Sequence, residues 1–331
     1  MIECIFTVDC EIYGNGHGSL KELVYEPAKR LVEIFAKRNI RFVAFVEVAE
    51  LEMIETHGTD PGIELVRRQV KQMHEDGFEI GLHLHPQWYN GHRANRKWVL
   101  DYSEYNLSAL ARERIIEIVD RSISYLRELL DVTDFVPLSF RAGNWLFQPT
   151  KAAAQVLAEA GIRVDSSVFK GGLQRQHKLD YRPALKNGHY WKFTEDVNVP
   201  DSEGAMLELP IHTQMVPTWT IFTTKRIGLQ RKGSAACTNE KVRLSRLMDF
   251  IRFRHPLKFD FCRMTIDELT RVVDTAIRKD RESPMRFWPL VAIGHTKDLT
   301  DFESVSFLLH YLDRNGIPVS TFSDVYPRCM S

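Results

Sequence analysis

The sequence predicts an α/β fold in which parallel strands close into a barrel. Along most of its 331 residues, short apolar runs alternate with longer amphipathic segments, which is the pattern of strands separated by helices. Strands joined through helices need crossover connections and therefore pair in parallel. Neither G-x-G-x-x-G nor G-x-x-x-x-G-K-[ST] occurs, so an open nucleotide-binding sheet is disfavoured and a barrel is favoured.

The first half of the chain contains the clearest alternation. Its predicted strands are ECIFTVD, IRFVAFVEV, FEIGLHLH, FVPLSFR and IRVDSSV. Its predicted helices are EPAKRLVEIFAKRN, PGIELVRRQVKQMHEDG, LSALARERIIEIVDRSISYLRELL and PTKAAAQVLAEAG. The second of these helices has a proline at its start and a glycine after its end, as helices often do.

Residues 171–262 break this alternation. They contain short β-like runs such as AMLELPI and TWTIFTT, and we interpret them as an insertion within a single catalytic domain that spans 1–331. The alternation then returns with the helix TIDELTRVVDTAIRKD, the strand FWPLVAIGH, the helix DFESVSFLLHYLDRNG and the strand IPVSTFS. We therefore expect a barrel with a central elaboration that contains β-structure.

Composition and charge exclude several classes of protein. Basic and acidic residues are equal in number, 44 of each, and provide no basic excess for a nucleic-acid partner. No apolar run reaches 18 residues, so no membrane span is predicted. The N-terminus lacks the pattern of a signal peptide, and the five cysteines form neither a CxxC motif nor a disulfide framework. We therefore expect reduced thiols and a cytoplasmic protein.

Polar side chains recur where the predicted strands end. In chain order they are Asp9 and Glu11, His83 and His85, Arg141, Asp165, and His295. In parallel α/β barrels the C-terminal ends of the strands open on one face, where the active site is built. The coincidence of carboxylates, imidazoles and a guanidinium at these ends predicts an active site on that face. Structural roles as turn, cap or ion-pair residues remain the alternative for each of them.

The two histidines two residues apart predict a metal site. Residues at i and i+2 of a strand point to the same face, so His83 and His85 can converge on one ion, as can Asp9 and Glu11. Two imidazoles and one carboxylate with an open position are typical of a catalytic divalent cation. Zinc, cobalt, nickel, manganese and iron all suit these donors. A second carboxylate can then deprotonate a bound water, and another histidine can protonate the leaving group.

Further residues are candidates for contact with the substrate. Trp88 and Trp145 follow the predicted metal and arginine segments and could stack on a sugar ring, although core packing explains them equally well. Asn144 precedes Trp145, and His212 follows the apolar run ELPI at another predicted strand end. For His212, packing in the core or a loop is an equal alternative.

Five short segments together resemble the polysaccharide deacetylase family, the NodB-homology carbohydrate esterases. They are FTVDCE, HLHP, FRAG, VDSSV and AIGH, and they occur in the family's order between residue 5 and about 322. The resemblance implies a distorted (β/α)7, TIM-like barrel and a divalent metal cofactor, most commonly zinc. It implies that Asp9 is the general base and Arg141 its partner, and that His295 is the general acid, tuned by Asp165.

Two positions depart from the family pattern. Cys10 stands where the family has a metal-binding aspartate, so Glu11 is expected to supply that ligand. Gln87 stands where the family has its second histidine, so His85 is expected to replace it beside His83.

The predicted activity is therefore the metal-dependent removal of an N-acyl group, in the first instance acetyl, from an amino sugar or a glycan precursor. The N-terminus favours an intracellular substrate such as a nucleotide-linked or lipid-linked sugar. One alternative is hydrolysis of another C–N bond, as in a formamide, a cyclic amide or a ureide. A second is a non-catalytic barrel that binds glycan, against which an acid, a base and an arginine in one chain argue.

Overall fold

The computed structural model describes residues 1–223, 225–229, 253–284 and 287–330. Within these ranges the strands are β1 (Ile2–Cys10), β2 (Val43–Glu47), β3 (Glu79–Leu84), β4 (His92–Ala94), β5 (Lys97–Val99), β6 (Ser139–Ala142), β7 (Val164–Asp165), β8 (Leu173–Gln174), β9 (Leu179–Asp180), β10 (Trp191–Phe193), β11 (Met206–Glu208), β12 (Thr213–Pro217), β13 (Arg254–Lys258), β14 (Trp288–His295) and β15 (Val319–Ser320). The helices there are α1 (Glu26–Ala36), α2 (Val48–Thr56), α3 (Ile63–Glu75), α4 (Arg112–Leu130), α5 (Lys151–Glu159), α6 (Ile266–Glu282), α7 (Phe302–Arg314) and α8 (Phe322–Met330).

Parallel strands form the wall of the barrel, as predicted. The order of neighbours is β14, β1, β2, β3, β6, β7 and β11, and each adjacent pair is parallel. Ile211, three residues after β11, bridges to Val291 of β14 and so closes the ring. Because isolated bridges replace a continuous ladder at this point, the barrel is distorted. Antiparallel β10 extends the sheet beyond β11.

The interior of the barrel changes from apolar to polar along β1. Ile5, Thr7 and Asp9 alternate along this strand, so their side chains point to the same face. Ile5 packs in a buried cluster with Phe45 and with Phe322 of α8, which fills the end of the barrel where the strands begin. Burial of each such side chain stabilises the fold by roughly 1.5–3 kcal/mol. The apolar packing thus supports the polar residues that lie further along the same strand.

The strand register places predicted site residues side by side, and it adds Glu208, which was not among the predicted residues. The pairs are Asp9 with His295, His83 with Arg141, and Asp165 with Glu208. Residues paired in register on parallel strands lie side by side at the same height of the sheet. The C-terminal ends of β1, β3, β6, β7, β11 and β14 therefore form one polar face.

The segment 171–262 is part of the barrel as well as an addition to it. It contains β11, which pairs with β7, and the separate antiparallel ribbon of β12 and β13. Its residues 230–252 lie outside the described ranges. In the described part of the chain, the helices are all too short or too polar to cross a membrane. Cys4, Cys10, Cys262 and Cys329 are free thiols.

Candidate metal centre

Three buried side chains converge at the ends of β1 and β3. Glu11 Oε2 lies 3.0 Å from His85 Nε2 and 3.6 Å from His83 Nε2. One donor atom from each residue lies within 4.8 Å of the other two. Such a group could hold a single cation, with imidazole nitrogens and a carboxylate oxygen as donors.

The second ring nitrogen of His83 supports this role. His83 Nδ1 donates to the carbonyl oxygen of Arg141 at 2.8 Å, which leaves Nε2 as the ring nitrogen that faces Glu11. Burial opposes protonation of His83, but Asp9 and Glu11 raise its pKa to about 9. The negative charge that favours a proton at this position also favours a divalent cation.

The surroundings of His85 fit a metal ligand in the same way. Its Nδ1 lies 3.2 Å from the Gln87 amide and 3.3 Å from the Asn144 amide. Gln87 Oε1 is buried and has no hydrogen-bond partner among the described residues. Exchange of the two amide atoms of Gln87 lets Oε1 accept the Nδ1 proton, which leaves Nε2 of His85 free for a cation. The donor set is therefore chemically suited to a divalent metal.

Gly143 allows β6 to end close to His85. A Cβ atom at this position would lie 2.5 Å from the carbonyl oxygen of Leu84 and 2.8 Å from the His85 ring. Any larger residue would push the Arg141 segment away from the metal ligands. Asn144 and Trp145 follow with positive φ angles of 54° and 61°, a backbone conformation that is costly for residues other than glycine and is concentrated at functional sites.

Asp9 is held by a buried guanidinium. Arg141 Nη1 donates to Asp9 Oδ1 at 2.6 Å, and Nη2 donates to Thr7 Oγ1 at 2.9 Å. Arg141 Nε donates to the carbonyl oxygen of Ser166 at 2.9 Å, which fixes the guanidinium plane. Burial alone would raise the pKa of Asp9, but Arg141, His83 and His295 lower it below its ordinary value. Asp9 is therefore ionised and able to accept a proton.

His295 lies on the other side of Asp9. Its Nε2 is 3.4 Å from Asp9 Oδ2 and 3.9 Å from Glu11 Oε1. Burial lowers the pKa of His295, although Asp9 opposes this shift. Its ring is neutral at neutral pH and is placed to exchange a proton with Asp9.

Comparison with known proteins identifies the fold. The chain matches no family model and no curated protein sequence. A Mycobacterium smegmatis structure assigned as a polysaccharide deacetylase is 14% identical, with a TM-score of 0.53 over 99% of this chain and 90% of the other. A Pseudomonas aeruginosa PAO1 structure with the same assignment is 13% identical, with a TM-score of 0.52 over 98% and 89%. The chain has the fold of polysaccharide deacetylases.

The deacetylase fold is shared with a second class of protein. A GH57-type branching enzyme from Pyrococcus horikoshii is 10% identical, with a TM-score of 0.54 over 98% of this chain and 70% of the other. Since one fold supports more than one activity, the function of this chain has to be argued from its own site residues.

Asp165 lies at the end of β7, beside Ser167 and Glu208. Its carboxylate accepts hydrogen bonds from Ser167 N at 3.1 Å and Ser167 Oγ at 2.7 Å, and it interacts with Glu208. Burial raises the pKa of Asp165 and of Glu208, and the charge of Asp165 raises that of Glu208 further. The described hydrogen bonds of the Asp165 carboxylate go to Ser167 and Glu208, and none of them joins it to His295. The expectation that Asp165 tunes His295 has no support in these contacts.

Lys297 is a site residue that the sequence analysis missed. Its Nζ donates to Glu11 Oε1 at 2.7 Å and to the carbonyl oxygen of Ile12 at 3.2 Å. Burial would raise the pKa of Glu11, but Lys297 and His85 hold it well below the ordinary value. The two carboxylate oxygens of Glu11 thus have different partners. Oε1 faces Lys297, and Oε2 faces the two histidines. In the sequence, the one indication of this role is that Lys297 follows His295, a predicted site residue, by two positions.

Lys258 is a second missed residue. Its Nζ lies 2.9 Å from the centroid of the Trp145 ring and 4.8 Å from that of Phe169. Burial lowers its pKa well below the ordinary value, while Asp260 opposes the shift. Lys258 comes from β13, so the segment 171–262 contributes directly to the walls of the site.

Of the four residues predicted to contact substrate, two lie beside the site and two lie away from it. Asn144 and Trp145 are partly buried beside the site, with the Trp145 ring centroid 6.0 Å from that of His295. Trp88 is completely buried against Trp98, so its ring has no accessible face and belongs to the core. His212 lines a separate cavity beside Trp288 and contacts none of the catalytic candidates described above.

Proposed function

We propose that this chain is a metal-dependent hydrolase that removes an N-acyl group, in the first instance acetyl, from an amino sugar or a glycan precursor. The observation that carries the proposal is one buried cluster with two adjoining parts. Glu11, His83 and His85 form a cation site, and Asp9 stands beside it with Arg141 and His295 as partners. A glycan-binding barrel would need no such combination of ligand set, ionised base and proton-exchanging imidazole.

The metal would be held by Glu11, His83 and His85, with zinc the most typical ion for such donors. When bound, it would polarise the acyl carbonyl and lower the pKa of a water molecule. The protein then has to accept a proton from the water and deliver one to the departing amine.

Asp9 accepts the first proton. Arg141 keeps Asp9 ionised and fixes its orientation through Oδ1, which leaves Oδ2 free to act as the base. His295 Nε2 lies 3.4 Å from this oxygen, within reach of a short proton transfer. The neutral imidazole of His295 can take up the proton and pass it to the amine nitrogen as the C–N bond breaks.

Asn144 and Trp145 would orient the substrate. Trp145 is partly exposed beside His295, and an aromatic ring at this place can stack on the apolar face of a sugar. Asn144 approaches His85 and so couples the substrate-binding loop to the metal ligands.

A second candidate is hydrolysis of another C–N bond, in a formamide, a cyclic amide or a ureide. The observation that favours it is Lys258, which covers the Trp145 ring and brings the segment 171–262 over the site. A lysine over this ring leaves less room for an extended glycan than for a small substrate.

The two candidates are separated by their products. The metal-loaded protein is incubated with N-acetylated amino sugars and sugar nucleotides, and in parallel with a formamide, a cyclic amide and a ureide. Acetate release from a sugar that Asp9→Asn abolishes supports the deacetylase proposal. Activity on the cyclic amide or ureide without acetate release selects the second candidate. Saturable glycan binding with no turnover of any compound would overturn both.

A further inference from the structure

A cavity lies on the outer wall of the barrel. Its volume is about 650 Å³, and its walls include the start of β14, residues 210–215 and helix α6. Trp288 and Pro289 line it at the beginning of β14, whereas His295 belongs to the metal centre at the other end of the same strand. Seven residues of strand span about 23 Å, which separates Trp288 from His295. On its other side the cavity comes closer to the proposed active site, because its lining residue Thr213 pairs with Lys258.

Positive charge dominates the cavity. Its charged lining residues are Lys170, Arg254, Arg278 and Lys279. No aspartate or glutamate occurs among the lining residues that the structure describes. Glu208 lies behind Lys170 and offsets part of its charge, but it does not line the cavity. Arg278 and Lys279 are exposed and occupy consecutive positions near the end of α6.

His212 also lines the cavity, and the positively charged groups around it affect its pKa. Its Nε2 is buried and has no hydrogen-bond partner among the described residues. Burial lowers the pKa of His212 to about 3, and the nearby Lys279, His189 and Lys170 contribute to this shift. A buried polar nitrogen without a partner costs free energy, which an acceptor from a ligand would recover.

A stacked pair of rings also lines the cavity. Trp288 lines the cavity, and the His189 ring stacks on it with a centroid separation of 4.1 Å and an angle of 14° between the planes. A volume in this range fits a small molecule, and pockets for small molecules combine apolar walls with a few polar groups that fix orientation.

We propose that this cavity binds a small organic molecule carrying two or more phosphate or carboxylate groups. Arg278 and Lys279 attract the ligand at the surface, and Arg254 and Lys170 add positive charge to the walls. His212 Nε2 donates a hydrogen bond to one of its oxygens. Phosphate and carboxylate share the oxyanion chemistry that these groups recognise, and the experiment distinguishes them.

The test is calorimetric titration of the metal-loaded protein at constant ionic strength. Fructose 1,6-bisphosphate is the phosphate probe, tricarballylate the carboxylate probe and fructose the uncharged control. We expect saturable binding of at least one anionic probe and none of fructose. The probe that binds more tightly defines the ligand class. Absence of saturable binding by both anions would overturn the proposal.

Variants locate the bound probe. The double variant Arg278→Glu with Lys279→Glu should weaken binding at least tenfold, and Arg271→Glu, an exposed residue on the same helix outside the cavity, should leave it unchanged. His83→Ala should also leave it unchanged, since the metal centre is not involved. Equal affinity in the double variant and wild type, or loss of binding in His83→Ala, would contradict a site in this cavity. Both charge reversals are at exposed positions, and a thermal unfolding curve checks that the fold is retained.

Discussion

Arg141 and Asp9 form a fully buried ion pair inside the barrel, with Nη1 2.6 Å from Oδ1. Arg141 belongs to β6 and Asp9 to β1, and β3 and β2 lie between them in the sheet. The contact therefore crosses the interior of the barrel. The pair links the structural core to the proposed general base.

Replacement of Arg141 by methionine should destabilise the fold strongly. Asp9 would remain buried without its partner, and loss of one member of a buried pair typically costs 3–5 kcal/mol in the free energy of unfolding. Urea denaturation measures the change. Arg112→Met is the control, because Arg112 pairs with Glu159 at the surface and exposed pairs contribute about 0–1 kcal/mol. Equal losses in the two variants would show that the buried pair has no special structural role.

Asp9→Asn and His295→Ala should each lower kcat by roughly a hundredfold or more on the substrate found in the product assay. The first variant removes the proton acceptor and the second removes its proton-exchanging neighbour. His57→Ala, a histidine that contacts the Met53 carbonyl away from the site, is the control. Near-normal turnover in either site variant would rule out the role assigned to that residue.

The pair of Asp165 and Glu208 predicts a pH dependence of stability. Burial raises the pKa of both groups in the folded protein, so the folded state holds protons that the unfolded state has released above its ordinary carboxyl pKa of about 4–4.5. Stability should therefore fall as the pH rises from about 5 towards 8. Glu208→Gln removes one titrating group and should reduce this fall.

Urea denaturation at pH 5 and pH 8 checks this prediction, with Glu203→Gln at an exposed position as the control. A stability difference between the two pH values that is the same in wild type and Glu208→Gln would contradict a shared proton in the pair.

Gln87→Leu should weaken metal binding by roughly tenfold to a hundredfold. Gln87 contacts Nδ1 of His85, and partners that orient a ligating histidine typically contribute this much to metal affinity. Competition with a chromogenic chelator measures the dissociation constant. Gln72→Leu is the control, since Gln72 is exposed and its side chain hydrogen-bonds Asp76, away from the metal centre. An unchanged affinity in Gln87→Leu would show that Gln87 does not orient His85.

The alternation of apolar runs was sufficient to predict the parallel barrel and the approach of Asp9, Glu11, His83, His85, Arg141 and His295. Each of these residues lies at a strand end, and parallel strands bring their C-terminal ends to one face. The prediction needed only local patterns and one general rule of topology.

The partners of these residues could not be predicted in the same way. Lys297 and Glu11 are 286 positions apart in the chain and meet through the register of β1 with β14. Glu208 reaches Asp165 because the segment interpreted as an insertion supplies β11 to the wall. Lys258 depends on the ribbon of β12 and β13, for which the sequence shows no clear alternation.

The packing of Trp88 and His212 explains why these two rings lie outside the proposed active site. Trp88 occurs next to a metal-ligand segment, but its ring packs on Trp98, and the sequence pattern is compatible with either environment. His212 also follows a strand end, but it occurs where the barrel closes, and its ring lies near Trp288 in the outer cavity. A residue's position near a strand end in the sequence does not specify whether its ring lies inside or outside the wall of the barrel.

Elemental analysis after dialysis tests whether Glu11, His83 and His85 bind a divalent metal. We expect one metal ion per chain in the wild type, and loss of that ion in His83→Ala and in His85→Ala. His57→Ala should retain it. A metal content in both site variants equal to that of the wild type would contradict the assignment.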